Sequence, residues 1–172
     1  MKINKMFKRI ILLVLILFVA LLVYKILFRI KNSPENYEWQ DSRIIYDSYS
    51  KTSHEIIAYR KNSAGYRIYA NGTIHQYYED EILKTNKISN DELNELKRLV
   101  CLIRDIRKQY KIDDEVYEHE VYSQGIIVYS PRLEEEITLC FSSATSGYAN
   151  KTKESQEIQK LAQSLYDKYL KD

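Results

Sequence analysis

From Ile10 to Tyr24 every position is apolar (IILLVLILFVALLVY). Lys25 interrupts the run, and Ile26, Leu27 and Phe28 resume it. As a helix, Ile10 to Phe28 is about 28 Å long, close to the roughly 30 Å hydrocarbon core of a bilayer. The run is apolar on every side, which predicts a transmembrane helix over residues 10–30 rather than one face of a core helix. Lys25 sits near one end, where its stem can lie in lipid while its ammonium reaches the headgroups. A cleaved signal peptide would need a shorter apolar region followed by small residues. Ala20 is the one small residue of the run, and no cysteine follows before Cys101, so neither a signal peptide nor a lipoprotein is predicted.

After the run the pattern changes. Residues 31–53 (KNSPENYEWQDSRIIYDSYSKTS) are polar, contain Pro34 and show neither strand nor helix period, which predicts a linker. His54–Arg60 is the first expected strand. Tyr66–Ala70 and Thr73–Tyr78 flank Asn71-Gly72, a strong hairpin signal. A two-residue loop would pair Ala70 with Thr73, Ile68 with His75 and Tyr66 with Tyr77 on one face. Ser89 and Glu92 form a capping box, with Ile88 and Leu93 as its staple. Leu93, Leu96, Leu99, Val100, Ile103, Ile106 and Tyr110 then recur at helical spacing. Residues 111–120 are charged and carry no clear period. Val121–Tyr129 and Glu136–Phe141 read as strands, the second with Ile137, Leu139 and Phe141 on its inner face. Residues 142–150 (SSATSGYAN) read as a small-residue loop. Ile158, Leu161, Ala162, Leu165 and Tyr169 mark a closing helix.

The expected fold class is therefore α+β: an N-terminal single transmembrane helix, then a small antiparallel sheet with two helices, in the order β-β-β-α-β-β-α. The organisation is a basic segment over 1–9, the span over 10–30, the linker over 31–53 and a folded domain over 54–172.

Charge adds an orientation. Residues 1–31 hold seven basic and no acidic side chains, while the remaining 19 basic and 24 acidic residues leave the folded part at −5. Four basic residues precede the span (Lys2, Lys5, Lys8, Arg9) and three lie in or after it (Lys25, Arg29, Lys31). That bias places the N-terminus in the cytoplasm and the domain outside it, at the cell membrane. A mildly acidic domain argues against nucleic acid as a partner. The expected partners are the lipid bilayer, through residues 10–28, and a protein at the cell envelope.

Reactive constellations are sparse. His54, His75 and His119 stand singly, with no metal-ligand spacing, so no metal or cofactor is expected. Cys101 falls on the polar face of its helix and Cys140 on the outer face of its strand, which predicts two thiols rather than a disulfide. The chain has 16 tyrosines against four Phe and one Trp. Tyrosine gives amphipathic contact area at low entropic cost. The expected contact residues are Tyr66, Tyr69 and Tyr77 of the hairpin, with Ser142, Ser143, Ser146, Tyr148 and Asn150 of the following loop. No catalytic residue is assigned.

The run Gly65-Tyr66-Arg67-Ile68-Tyr69-Ala70-Asn71-Gly72-Thr73-Ile74, the capped helix, Ser146-Gly147-Tyr148-Ala149-Asn150 and the final helix together resemble small membrane-anchored envelope domains of low-GC Gram-positive bacteria. The abundance of Lys, Ile, Asn and Tyr suits such a source. The resemblance spans residues 54–172 and implies a surface location; it carries no activity to transfer. The order of elements is also similar to that of some small bacterial protease inhibitors. Three roles follow as expectations: a tethered, non-enzymatic binding module; a tethered hydrolase using a loop serine with His75 or His119; and an inhibitor or immunity-type protein acting on a protease or toxin.

Overall fold

The computed structural model describes residues 5–53, 63–79, 81–111, 121–143 and 146–171. The fold is α+β. An apolar helix α1 (Lys5–Lys31) leads into a mixed domain with the strands β1 (Ile44–Ser53), β2 (Ser63–Tyr69), β3 (Thr73–Tyr78) and β4 (Glu81–Lys87). Helix α2 (Asn90–Leu102) follows, then β5 (Arg107–Lys111), β6 (Val121–Ser130), β7 (Glu135–Ser143), β8 (Ser146–Asn150) and α3 (Lys153–Tyr169). The eight strands form one antiparallel sheet in the order β4-β3-β2-β1-β6-β7-β8-β5. Helices α2 and α3 share one face of it, over a core of Ile45, Tyr46, Ile68, Ile74, Val128, Ile137 and Leu139.

Helix α1 is long and apolar enough to cross a membrane, and none of it is buried inside the protein. Its last carbonyls would lack partners, as at any helix end. Two asparagines supply them: Asn32 Nδ2 donates to Phe28 O (2.6 Å), and Asn36 Nδ2 donates to Ile30 O (2.8 Å) and Lys31 O (3.1 Å). Tyr37 Oη donates to Asn32 Oδ1, and Trp39 Nε1 to Pro34 O at 3.0 Å. Residues 32–39 thus form a hydrogen-bonded collar around a 3-10 turn, Pro34–Asn36. The expected linker over 31–53 is corrected at both ends: its first part is this collar, and its last ten residues are β1, the central strand. Alternation is hidden in β1 because Ile45 and Tyr46 are both buried on the core side of a register shift.

The strand expected at His54–Arg60 and the charged stretch 112–120 lie outside the described residues. The element order otherwise gains β4, β5 and β8. Helix α2 starts where the capping box predicts, with Ser89 and Glu92 bonded reciprocally. It ends at Leu102 and does not run on to Tyr110. Arg132 donates to the carbonyls of Cys101 and Ile103, and Asn150 Nδ2 donates to Arg104 O (2.6 Å). Residues 107–111 then pair with β8. Tertiary pairing overrides a helical spacing that is itself weak evidence. Cys101, expected on a solvated face, is fully buried, because the collar packs across that side of α2. Cys101 and Cys140 are free thiols, and burial pushes the Cys101 thiol up to about 12.

The hairpin turns through three residues. Ile68 pairs with Ile74 and Arg67 with His75, so Ala70-Asn71-Gly72 form the loop. Gly72 N donates to Tyr69 O at 2.9 Å, and Gly72 has φ +86°, the turn-plus-bulge geometry that needs a left-handed residue. The expected two-residue loop was one position out. That shift moves Tyr66 and Tyr77 to opposite faces.

Glu92 joins the two helices. Its carboxylate accepts from Lys168 Nζ (2.8 Å), Tyr169 Oη (2.7 Å) and Ser89 Oγ (2.7 Å). Burial raises the Glu92 carboxyl, but the hydrogen bonds from Lys168, Ser89 and Tyr169 outweigh it and hold its pKa at about 2. A depressed carboxyl contributes stability that is present above its ordinary pKa of 4.5 and lost as pH falls through about 2. Glu92→Gln is therefore expected to flatten the acid limb of stability between those two values. At neutral pH it should cost about 1 kcal/mol, the worth of a helix cap. Urea unfolding of the detergent-solubilised chain across that pH range, followed by circular dichroism, measures both.

Candidate functional site

The face of the sheet turned away from α2 and α3 is built by three register shifts and one turn. In β7, Thr138 pairs with Ile127 and Cys140 with Ile126, leaving Leu139 as an extra residue. Ile137 and Leu139 both point into the core, so Cys140 turns inward with Ile126 and Phe141 turns outward opposite Gly125. The sequence expectation had Phe141 inside and Cys140 outside; the bulge reverses both.

The pairing then aligns one row across the sheet: Ile82, Tyr77, Gly65, Tyr49, Gly125, Phe141 and Tyr148, each directly opposite the next. Directly opposed residues share a face, so four aromatic rings and two glycines lie in line. The glycines make room. A Cβ on Gly65 would stand 1.8 Å from Ser48 O, and one on Gly125 would meet the Tyr49 ring at 2.5–2.8 Å. Tyr49 therefore lies flat over Gly125. Phe141 stacks on Tyr148 with ring centroids 5.5 Å apart.

A charged knot anchors one end of the row. Asp47 on β1 accepts from Tyr77 Oη (2.8 Å) and from Arg67 Nε (3.2 Å), while the Arg67 guanidinium lies 4.0 Å over the Tyr77 ring. The buried carboxylate is thus paired and hydrogen-bonded, as a buried charge must be. Beside it, Tyr69 packs on the His75 ring at 5.0 Å. Burial, and after it the Arg67 charge, lower the His75 pKa below its ordinary 6.5, so the imidazole is neutral at pH 7. His75 Nδ1 has no hydrogen-bond partner.

No protein-family model, curated protein or solved structure matches this chain.

The eight residues expected to make contact do not converge. Tyr66 is in the core, 8% exposed, stacked on Tyr46 and tilted against Tyr166, with its hydroxyl 3.1 Å from that of Tyr46. Tyr77 is on the outer face but only 3% exposed. Tyr69 is half-buried on that face. The expected loop is mostly strand: Ser142 and Ser143 end β7, and Ser146, Tyr148 and Asn150 belong to β8. Tyr148 extends the aromatic row. Asn150, 2% exposed, is a structural node: its Nδ2 donates to Arg104 O, and its Oδ1 accepts from Thr152 N and Thr152 Oγ1 (2.7 Å), which sets the N-cap of α3. His75 on β3 and Ser142 on β7 lie four strand spacings apart, about 19 Å, so they cannot act as a base and its nucleophile. His119 is outside the described residues. Among the described residues no group of His, Cys, Asp and Glu is arranged to hold a metal. The residues that sequence reasoning missed are Asp47, Tyr49, Arg67 and Phe141. Only the β1 register could have revealed the first two.

Tyr77→Phe removes one donor to a buried carboxylate and should cost about 1–3 kcal/mol. Gly65→Ala forces Ser48 O, part of the β1 backbone, to move and should cost about 3 kcal/mol or prevent folding. Gly125→Ala is expected to be milder, because the end of the Tyr49 side chain can swing aside. Chemical denaturation of the three variants orders these losses.

Proposed function

We propose that the chain is a membrane-tethered, non-enzymatic binding module. Helix α1 holds it in the cell membrane, its N-terminus lies in the cytoplasm, and the domain presents the sheet face turned away from α2 and α3 to a protein partner at the cell envelope. The observation that carries this reading is the aromatic row on that face, from Tyr77 to Tyr148. Aromatic side chains are enriched in recognition surfaces, where they bury area with few rotors. Tyr49, Tyr69, Phe141 and Tyr148 remain partly exposed, and no described helix packs on them. Arg67 and the neutral His75 add hydrogen-bonding groups at one end. The basic flanks of α1 support the orientation.

Two measurements test it. An impermeant maleimide should label a Lys160→Cys variant on intact cells, since position 160 is exposed on α3. Labelling only after the membrane is opened would place the domain in the cytoplasm. Photo-crosslinkers at Tyr69 and Tyr148 should form adducts with one envelope protein, whereas the same probe at Gln163, exposed on α3, should not. Adducts from Gln163 alone would assign binding to the helical side instead.

A further inference from the structure

A second site lies at the junction of anchor and domain, and it rests on the anchor reading just given. Between the C-terminal turn of α1 and the polar face of α2 is a cavity of about 760 Å³. Arg29, Asn32, Trp39, Asp91, Lys97 and Arg98 are among the residues that line it. We propose that this cavity seats the headgroup of a zwitterionic aminophospholipid from the surrounding bilayer, with its phosphate against Arg29 and Lys97 and its amine against Asp91.

Depth is the first argument. With Ile10–Phe28 filling the hydrocarbon core, Arg29 stands at its boundary. The headgroup layer is about 5–8 Å thick on each side, so Arg29 and the Asn32 and Ser33 that follow it, all lining the cavity, lie within it. Charge is the second. The lining carries Arg29, Lys97 and Arg98 against Glu35, Asp91 and Glu95, a balance that suits a ligand with one charge of each sign. Arg98 and Glu95 already satisfy each other through two 2.7 Å bonds. Glu35 accepts from Ser33. Among the described residues, Arg29, Lys97, Glu35 and Asp91 have no ion-pair partner, so two cations and two anions remain to be matched, and Arg29 with Lys97 can share one phosphate. Rigidity is the third. Lys97 is held over the Trp39 ring at 5.0 Å, Trp39 Nε1 is fixed on Pro34 O, and the collar's asparagines clamp the last turn of α1. The cavity walls are thus set before a ligand arrives, which lowers the ordering cost of binding.

Trp39 is the one tryptophan of the chain and reports the cavity directly. The full chain is reconstituted in nanodiscs of phosphatidylglycerol alone or of phosphatidylglycerol with phosphatidylethanolamine, and iodide quenching of Trp39 is measured. With phosphatidylethanolamine, quenching should fall by roughly half, because a seated headgroup fills the space beside the indole. Arg29→Gln and Asp91→Asn should each restore the level of phosphatidylglycerol discs, with circular dichroism unchanged. Inorganic phosphate or soluble phosphoethanolamine added to phosphatidylglycerol discs should not protect; protection by either would assign the cavity to a soluble ligand and overturn the proposal. Equal quenching in both discs, with the chain still co-floating, overturns this proposal alone. A chain that separates from the discs on flotation overturns the anchor reading together with it.

Discussion

The backbone of β1 carries donors and acceptors on both edges, and a strand at the centre of a sheet must have both edges paired. Everything else in the domain is placed by how that requirement is met. Strand β2 takes one edge and β6 the other. From β2 the chain meanders outward through β3 to β4, and from β6 it meanders outward through β7 to β8. Helix α2 carries it from one side of the sheet to the other, where β5 closes against β8. The approach of β2 to β1 is so close that position 65 has no room for a side chain, and at position 125 the Tyr49 ring fills that room. The strand also supplies Asp47, the charge around which the outer face is knotted.

The same strand shows where sequence reasoning reaches its limit. The apolar run of α1, the capping box at Ser89, the stripe of α3 and the strands at 121–129 and 136–141 were all legible. Each is a local signal whose meaning does not depend on distant pairing. The stretch Arg43–Ser53 had no such signal. Its inward residues Ile45 and Tyr46 are adjacent, and its outward Asp47 and Tyr49 look like ordinary linker polarity. The face of Phe141 was misread for a related reason. A bulge inserts one residue, and with a side-chain period of two, one residue inverts everything beyond it. The hairpin at Asn71-Gly72 was found by its turn residues, yet its register needed the third loop residue, Ala70.

Tyrosine abundance was a true signal whose content could not be resolved by counting. Tyr46 and Tyr66 are core residues that bury their rings and satisfy their hydroxyls on one another, and burial raises both pKa values, that of Tyr66 to about 12. Tyr77 buries its ring beneath Arg67 and spends its hydroxyl on Asp47. Tyr49 and Tyr148 keep part of their rings outward. One residue type therefore serves as filler, as charge partner and as surface, and only the register separates the three.

The outermost strand β4 carries one more consequence. Among the described residues, it leaves one row of backbone groups without a neighbouring strand, alongside exposed Ile82 and Leu83, the usual recipe for fibrous self-association. Yet Leu83 is the extra residue of its own bulge, which breaks the flat spacing that a ninth strand would require. Past it, Lys84 Nζ and Asn86 Nδ2 donate to Leu170 O and Tyr169 O, so the end of α3 grips the strand from one side. These features guard the border of the sheet against template growth by a second copy of the domain.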